Sequence, residues 1–408
     1  MVLQDSGTIA VLGSGPAGLM AASRICEAGF RARIYEKRGG PGRKLLVAGS
    51  SGLNITYDCP LPELVGQYTG PRDFFERILA EFPPEAWRAF IERELGIATF
   101  KGTSRRWFVA SEGMKASQLL KAWVDWLKAR GVEFELGREC VGFEVGEPGA
   151  TELEGVLLRF ADGGSARVAA ACFALGGGSW EPQETPLRWP ALFRSKGLGF
   201  EEFEASNVGF QVAWPPALLA EAEGKPVKNV VLHSARGERS GDLVITKYGI
   251  EGTPVYFAGL SGTVRLDLKP DLSEERIRAK LAMVRENLAP IRRVKRFLNL
   301  GEGALALLYH VAPAEVLGDI SQLVTWIKKF PLELGAKQPL SEAISSSGGL
   351  RWSELDEQLM LRRYAGVFVA GEMLDWDAPT GGFLIQGCVS QGSWAGRAAV
   401  RYCSHLAP

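Results

Sequence analysis

The chain has 408 residues, 46% of them hydrophobic and 23% charged, with 49 glycines and 22 prolines, which excludes a disordered or collagen-like chain. At about 150 residues per domain, two or three domains are expected. Its 47 basic residues balance its 47 acidic ones, so no long-range field draws it to nucleic acid or to an anionic membrane, and a small, mostly neutral molecule is the expected partner.

No apolar run approaches the roughly 20 residues of a membrane helix. The longest notable one, Val168 to Leu175, suits a buried strand. The opening Met1-Val-Leu-Gln-Asp-Ser lacks the basic start of a signal peptide, so a cytoplasmic location is expected. Cys26, Cys59, Cys140, Cys172, Cys388 and Cys403 are scattered without a C-x-x-C pair and read as buried reduced thiols. With only His233, His310 and His405 available, no metal centre is expected.

Thr8-Ile-Ala-Val-Leu12 is a β-branched, apolar run that passes directly into Gly13-Ser14-Gly15-Pro16-Ala17-Gly18 and then into the helix formers Leu19 to Ala22. Strand, glycine turn and helix in that order form a dinucleotide-binding pattern. Gly13 permits the tight turn, Gly15 lets backbone approach a pyrophosphate, and Gly18 lets helix and strand pack closely. The helix N-terminus offers free N–H groups and a partial positive charge to the phosphates. Gly29 stops the helix, and Ala32 to Glu36 supplies a second strand ending in a carboxylate that can accept from both ribose hydroxyls. Gly39 to Asn54 is then a loop rich in glycine and backbone donors, with Arg43 and Lys44 as its cations.

Further on, Pro71 to Phe82, Pro84 to Leu95 and Lys115 to Arg130 have helical periodicity, the last with a buried stripe of Leu119, Leu120, Trp123 and Leu127. Val132 to Leu136 is strand-like, and Ala169 to Gly178 is a strand running into three glycines. From Ala191 to Leu272 the texture changes to short strand-like pieces, Val227 to His233, Asp242 to Thr246, Pro254 to Phe257 and Val264 to Leu268, as in a small β-barrel or sandwich. Ser273 caps a charged helix to about Leu288, and helices follow at Glu302 to His310 and Pro313 to Phe330. The basic run Arg292-Arg-Val-Lys-Arg296 reads as a solvated face. Gly366 to Glu372 is another buried strand ending in a glycine and a carboxylate. Asp375 to Phe383 follows it, and then a small-residue helix from about Leu384 to Arg401 whose positive end points into the expected cleft.

These motifs resemble those of a bacterial flavoprotein family that includes aminoacetone oxidase and a flavin-dependent reductase of bile-acid dehydroxylation. The resemblance is carried by Gly13-Ser-Gly-Pro-Ala-Gly18, Gly42-Arg-Lys-Leu-Leu-x-x-Gly49, Gly52-Leu-Asn54, Lys115-Ala-Ser117, Ala343-Ile-Ser-Ser-x-Gly-Gly349, Gly371-Glu-x-Leu-Asp375 and Pro379-Thr-Gly-Gly382, and it spans nearly the whole chain. It implies a non-covalent FAD, with NAD(P)H docking at most transiently. Carried over, Gly13, Ser14, Gly15, Pro16, Ala17 and Gly18 face the pyrophosphate and Glu36, with Lys37 beside it, the adenosine ribose. Arg43 and Lys44 line the loop beside the cofactor, and Gly49, Ser51, Gly52 and Asn54 lie near the isoalloxazine. Val141 offers a backbone contact to adenine, and the Gly176-Gly177 turn returns to the cofactor. Gly371, Glu372 and Asp375 hold the ribityl side, while Gly381, Gly382 and Phe383 begin a helix aimed at the flavin N1–C2 carbonyl.

The fold implied is α/β, a Rossmann-like FAD-binding domain of the two-dinucleotide-binding flavoprotein type carrying two inserts. Residues 1–190 and 347–408 form the FAD-binding domain, 191–272 and 335–346 a β-rich substrate domain of barrel or sandwich type, and 273–334 a small helical subdomain. One G-x-G-x-x-G and no redox cysteine pair argue against a disulfide reductase. The reading favours oxidation of a small amine by hydride transfer to flavin, with oxygen as acceptor and hydrogen peroxide as product. An NAD(P)H-dependent reductase of an activated double bond and a non-catalytic flavoprotein are the alternatives. Lys44, through its charge, and Trp376, as an aromatic wall, are the catalytic candidates, with Tyr248, Tyr256 and Trp107 behind them. His310 and Cys388 read as structural.

Overall fold

The computed structural model describes residues 2–48, 52–102, 105–110, 115–146, 155–181, 187–283 and 288–406. They divide into two compact units, Met1–Glu204 with Ser346–Pro408, and Ala205–Ser345.

In the first unit, strand β1 (Val2–Leu12) lies inside a seven-stranded sheet. Ile9, Ala10, Val11 and Leu12 are all buried, as a strand covered on both faces requires. Helix α1 (Pro16–Glu27) leads to β2 (Arg31–Glu36), which pairs parallel with β1, and Glu133–Leu136 extends the parallel set beyond β2. On the other side of β1 runs Ser165–Phe173. Its first half pairs antiparallel with Val156–Phe160 and its second half parallel with Val367–Val369. Small residues let the C-terminal helix, Phe383–Leu406, lie directly on α1. A Cβ on Gly392 would stand 2.2 Å from the Ala17 carbonyl oxygen, and one on Gly396 2.6 Å from that of Ala21.

Two shorter elements complete the surroundings of the glycine turn, α2 (Arg43–Ala48) and β3 (Asn54–Tyr57), the latter paired with Arg106–Val109. The expected amphipathic helices form at Arg72–Glu81, Pro84–Ala89 with a wider turn over Phe90–Glu94, and Ala116–Ala129. Trp123 of the last is fully buried against Trp87, ring centroids 5.1 Å apart, and its indole N–H donates to Ser23 Oγ at 2.9 Å. The unit runs past the expected boundary at residue 190. Helix Trp189–Ser195 places Phe193 against Phe143 and Phe173, at 5.6 and 5.4 Å, inside the same core.

The second unit is an antiparallel sheet of six strands, in the order Phe210–Gln211, Gly249–Glu251, Gly237–Thr246, Pro226–Ser234, Gly262–Asp267 and Phe330–Leu334. Beyond Leu334 the chain returns to the first strand. The Gln211 N–H donates to the Ala336 carbonyl at 2.9 Å and the Gly335 N–H to that of Gln211 at 2.8 Å, so that, where the sequence leaves barrel or sandwich open, the sheet closes on itself as a small barrel. Helices Glu274–Ala282 and Glu302–Val311 bury Ile277 and Leu307 in one cluster with Leu232, Leu266 and Phe330 of the strands. The helical part therefore shares the barrel's core and is not a subdomain of its own.

Three expected elements differ. Gly39 to Asn54 is not loop throughout, since Arg43–Ala48 forms α2. Pro254 to Phe257 is β-prone, yet Thr253–Ala258 is a helix, because Pro254 favours a helical start and Gly252 and Gly259, at φ +128° and +69°, turn the chain at both ends. The single helix expected over Pro313 to Phe330 is two, Ala314–Gly318 and Ile320–Lys328, parted where Asp319 Oδ1 accepts from the Gln322 N–H at 2.7 Å and caps the second. Among the described residues no helix is long and apolar enough to cross a membrane.

Candidate functional site

The turn between β1 and α1 owes its shape to its glycines. Gly13 has φ +102°, and a Cβ there would lie 2.3 Å from the Ala174 carbonyl oxygen. A Cβ on Gly18 would lie 2.0 Å from the Gly13 oxygen. Gly15 is different, since nothing stands within 4 Å of where its Cβ would be. It is the N-cap of α1 without a side-chain cap, so the first-turn N–H groups are left for a ligand.

These residues open onto a cleft of about 990 Å³, its solvent mouth included, that lies wholly within the first unit. Glu36 joins its walls. The carboxylate accepts from the Ser14 hydroxyl, from the Ser14 N–H at 3.1 Å and from the Arg38 N–H at 2.9 Å, while Ser14 Oγ accepts from the Gly42 N–H at 3.2 Å. Opposite, Lys44 donates from Nζ to the Gly177 carbonyl at 2.6 Å. Burial pushes the Lys44 ammonium down from its ordinary range, with Glu372 opposing the shift. Burial pushes the Glu372 carboxyl up, against the pull of Lys44 and with a further push from Asp377. The Cys388 thiol, also lining the cleft, is held well above the usual range by burial.

Of the residues expected to bind a cofactor, Gly13 to Ala17, Glu36, Lys37, Arg43, Lys44, Gly176, Gly371 and Glu372 line this cleft, with Gly18 packed behind the turn and Gly177 accepting from Lys44. A second group gathers at the C-terminal helix. Gly381 and Gly382 have φ +112° and +105°, a Cβ on Gly382 would stand 2.6 Å from the Thr56 nitrogen, and Phe383 stacks on Tyr57 at 4.8 Å. Asn54, at the start of the same strand β3, has a buried Oδ1 with no partner among the described residues. Gly52, at φ +121°, precedes it; Gly49 and Ser51 lie outside the described residues.

Two expectations change, those for Trp376 and Asp375. Trp376 is 2% exposed, gives its indole N–H to the Gly371 carbonyl at 2.9 Å and packs on Phe75 and Tyr68 at 5.5 and 5.7 Å. It is a core residue beneath the loop and not a wall of the cleft. Val141 is 38% exposed, which leaves the expected backbone contact open to a ligand, and its neighbours Arg138, Glu139 and Cys140 line the cleft. Asp375 stands off the cleft lining, with its carboxylate accepting from the Gly348 N–H. Residues missed by the sequence reading include Arg38, Glu181 and Trp189. Arg38 lies two residues past Glu36, but Glu181 and Trp189 reach the cleft through long-range folding alone.

The donor set suits FAD. It combines the free N–H groups of an uncapped helix start beside an open glycine with two acceptors, the Glu36 carboxylate, which could take ribose hydroxyls, and the buried Asn54 Oδ1, which could take a ligand N–H. The family description "HI0933-like protein Rossmann domain" matches residues 7–398. The chain belongs to the HI0933-like family. That family is one of FAD-dependent oxidoreductases. This HI0933-like chain is 24% identical over 423 aligned residues to 3-dehydro-bile acid delta(4,6)-reductase of Clostridium scindens, covering 96% of this chain and 98% of the relative. It is 24% identical over 404 residues to ribosomal RNA dihydrouridine synthase of Escherichia coli, covering 94% and 96%. Among solved structures, 3-ketosteroid delta1-dehydrogenase from Sterolibacterium denitrificans has a TM-score of 0.55 at 11% identity, covering 97% of this chain and 100% of that one. The open conformation of a flavocytochrome c3 fumarate reductase has 0.53 at 13%, covering 98% and 78%. Both share the fold with this HI0933-like chain.

Proposed function

We propose that this HI0933-like protein is a reductase that adds hydrogen across an activated carbon–carbon double bond of a small molecule, with NADH or NADPH docking transiently as electron donor. The observation that carries this reading is the agreement of two relatives aligned over nine-tenths or more of both chains. One is named a 3-dehydro-bile acid delta(4,6)-reductase and the other a ribosomal RNA dihydrouridine synthase; both names describe a double bond becoming saturated, and the first, with the chain's balanced charge, supports a small-molecule substrate. This turns the preference away from the amine oxidase, which uses the same cleft and stays as the competing outcome.

Bound FAD supplies hydride chemistry that side chains lack. The chain's own residues hold and bias it. The uncapped start of α1 takes the pyrophosphate, Glu36 the adenosine ribose, and Gly371 with Glu372 the ribityl side. Lys44, fixed on the Gly177 carbonyl, places a positive charge in a half-buried cleft, where it favours the more negative form of whatever is bound.

Anaerobic titration of the purified holoprotein tests the proposal. NADH or NADPH is expected to bleach the visible flavin absorption and a conjugated enone to restore it. Bleaching by small amines, followed by reoxidation in air with peroxide release, would establish the oxidase instead. Reduction by no donor would return the non-catalytic reading.

A further inference from the structure

Four successive cationic side chains of segment 37–44 all reach the same short stretch of chain. Lys37 Nζ lies 3.3 Å and Arg38 Nη2 2.7 Å from Glu181 Oε2, Arg43 Nη1 donates to the Trp180 carbonyl at 2.9 Å, and Lys44 Nζ donates to that of Gly177 at 2.6 Å. The Glu181 side chain is 9% exposed, against 33% and 32% for its two partners, so it is the buried centre of the cluster. From the other side the stretch is fastened by Ser346, whose Oγ accepts from the Gly178 N–H at 2.9 Å, and a Cβ on Gly177 would lie 2.4 Å from that oxygen. Between the two anchors Trp180 adopts φ +60°, a left-handed conformation that a bulky side chain keeps only when its surroundings impose it. Lys37, Arg38, Arg43, Lys44, Gly176 and Glu181 line the cleft, so the fastening crosses the wall of the cofactor site.

We propose that Glu181 is the residue that retains the cofactor: it clasps the 176–181 segment to the 37–44 segment, and FAD leaves the cleft only when this ion cluster opens. The proposal rests on the cleft being an FAD site. Glu181 acts here as a positioning residue, since it holds Lys37 and Arg38 and need not touch the reacting atoms. One carboxylate shared by two cations in a poorly solvated place is worth more than a surface pair, because opening must separate charge and leave the carboxylate unpaired. Closing also keeps Arg43 and Lys44 on their carbonyls. The cleft is then bounded by cations whose charge is partly spent on the clasp and not on repelling one another.

The test measures FAD release from the full-length holoprotein, read as recovery of free-flavin fluorescence after dilution, for wild type, Glu181→Gln and Arg38→Gln. Glu181→Gln is expected to release FAD about tenfold to a hundredfold faster, the factor that one charge-assisted contact commands. Wild-type release is expected to accelerate as salt rises from roughly 0.05 to 0.5 M, while that of Glu181→Gln stays nearly flat. Arg38→Gln is expected to fall between the two, and the apoprotein melting temperatures to agree. Wild-type release rates in Glu181→Gln, or an apoprotein destabilised as much as the holoprotein, would overturn the clasp. Should Glu181→Gln fail to fold, the wild-type salt series and Arg38→Gln decide alone, and salt-independent release overturns the proposal. A wild type that neither carries nor takes up FAD overturns the cofactor reading itself, a different result from a loaded protein whose release ignores Glu181.

Discussion

Gly13 and Gly15 stand two residues apart and do different work, which makes them separable by the same substitution. Gly13→Ala meets both a positive φ and the Ala174 oxygen at 2.3 Å, so a loss of about 1–3 kcal/mol in apoprotein stability is expected from strain alone. Gly15 has φ −74° and open space at its Cβ, so Gly15→Ala should leave urea denaturation within about 0.5 kcal/mol of wild type while weakening FAD binding at least tenfold. Equal effects of the two on stability would contradict the geometry. Such glycines are legible in a sequence because backbone conformation and close approach leave a fixed local spacing. Trp376 is not, since an aromatic residue in a cofactor loop can face the ligand or the core, and only the positions of Phe75 and Tyr68 decide. Glu181 pairs with Lys37 and Arg38, 144 and 143 positions away, a relation no local pattern records.

The opposed shifts of Glu372 and Lys44 set a pH dependence. A carboxyl raised above its ordinary 4.5 keeps its proton in the folded chain where the unfolded chain has lost it. The stability this contributes is complete below about 4.5 and is lost as pH climbs through the raised value. Lys44, lowered from 10.5, acts in the other sense, and its burial cost fades as pH rises toward that value. Glu372→Gln should therefore remove the decline from about pH 4.5 upward, seen as apoprotein urea midpoints that diverge from wild type in that direction. Midpoints that stay parallel throughout would count against a buried, proton-holding Glu372.

At the level of elements, the site depends on how closely the C-terminal helix lies on α1. Gly392→Ala forces a methyl into the Ala17 carbonyl at 2.2 Å and should cost about 1–3 kcal/mol by overpacking, with FAD affinity expected to fall because Ala17 lies in the first turn of α1 and lines the cleft. Unchanged affinity in a folded variant would show that the helix contact is not transmitted to the turn. Helices with a clear apolar stripe and a proline or glycine at the boundary were readable to within a residue or two, as at Arg72–Glu81 and Ala116–Ala129. Thr253–Ala258 was not, because its residues favour a strand while the glycines around it favour a turn, and the conflict is resolved by burying Val255 and Ala258 on the barrel.

At the scale of the whole molecule, the described residues form two hydrophobic cores, one per compact unit. The order of motifs along the chain revealed the nucleotide fold and its insertion. The boundary at residue 204 and the single core shared by barrel and helices were hidden, because both depend on which apolar faces meet. Two cores predict two calorimetric transitions in the apoprotein. FAD at a hundredfold its dissociation constant should raise one of them by about 2.7 kcal/mol of stability and leave the other in place. A single transition that moves as one with FAD would show that the cores melt together.

The cleft between the glycine turn, Glu36 and the turn at 371–372 is expected to hold FAD. Denaturing the purified protein and identifying the released flavin by chromatography, with its amount per chain, tests this most directly. FAD near one per chain is the expected result. A colourless protein that takes up no FAD, or a released flavin that proves to be FMN and so lacks the adenosine half that Glu36 is placed to hold, would contradict it.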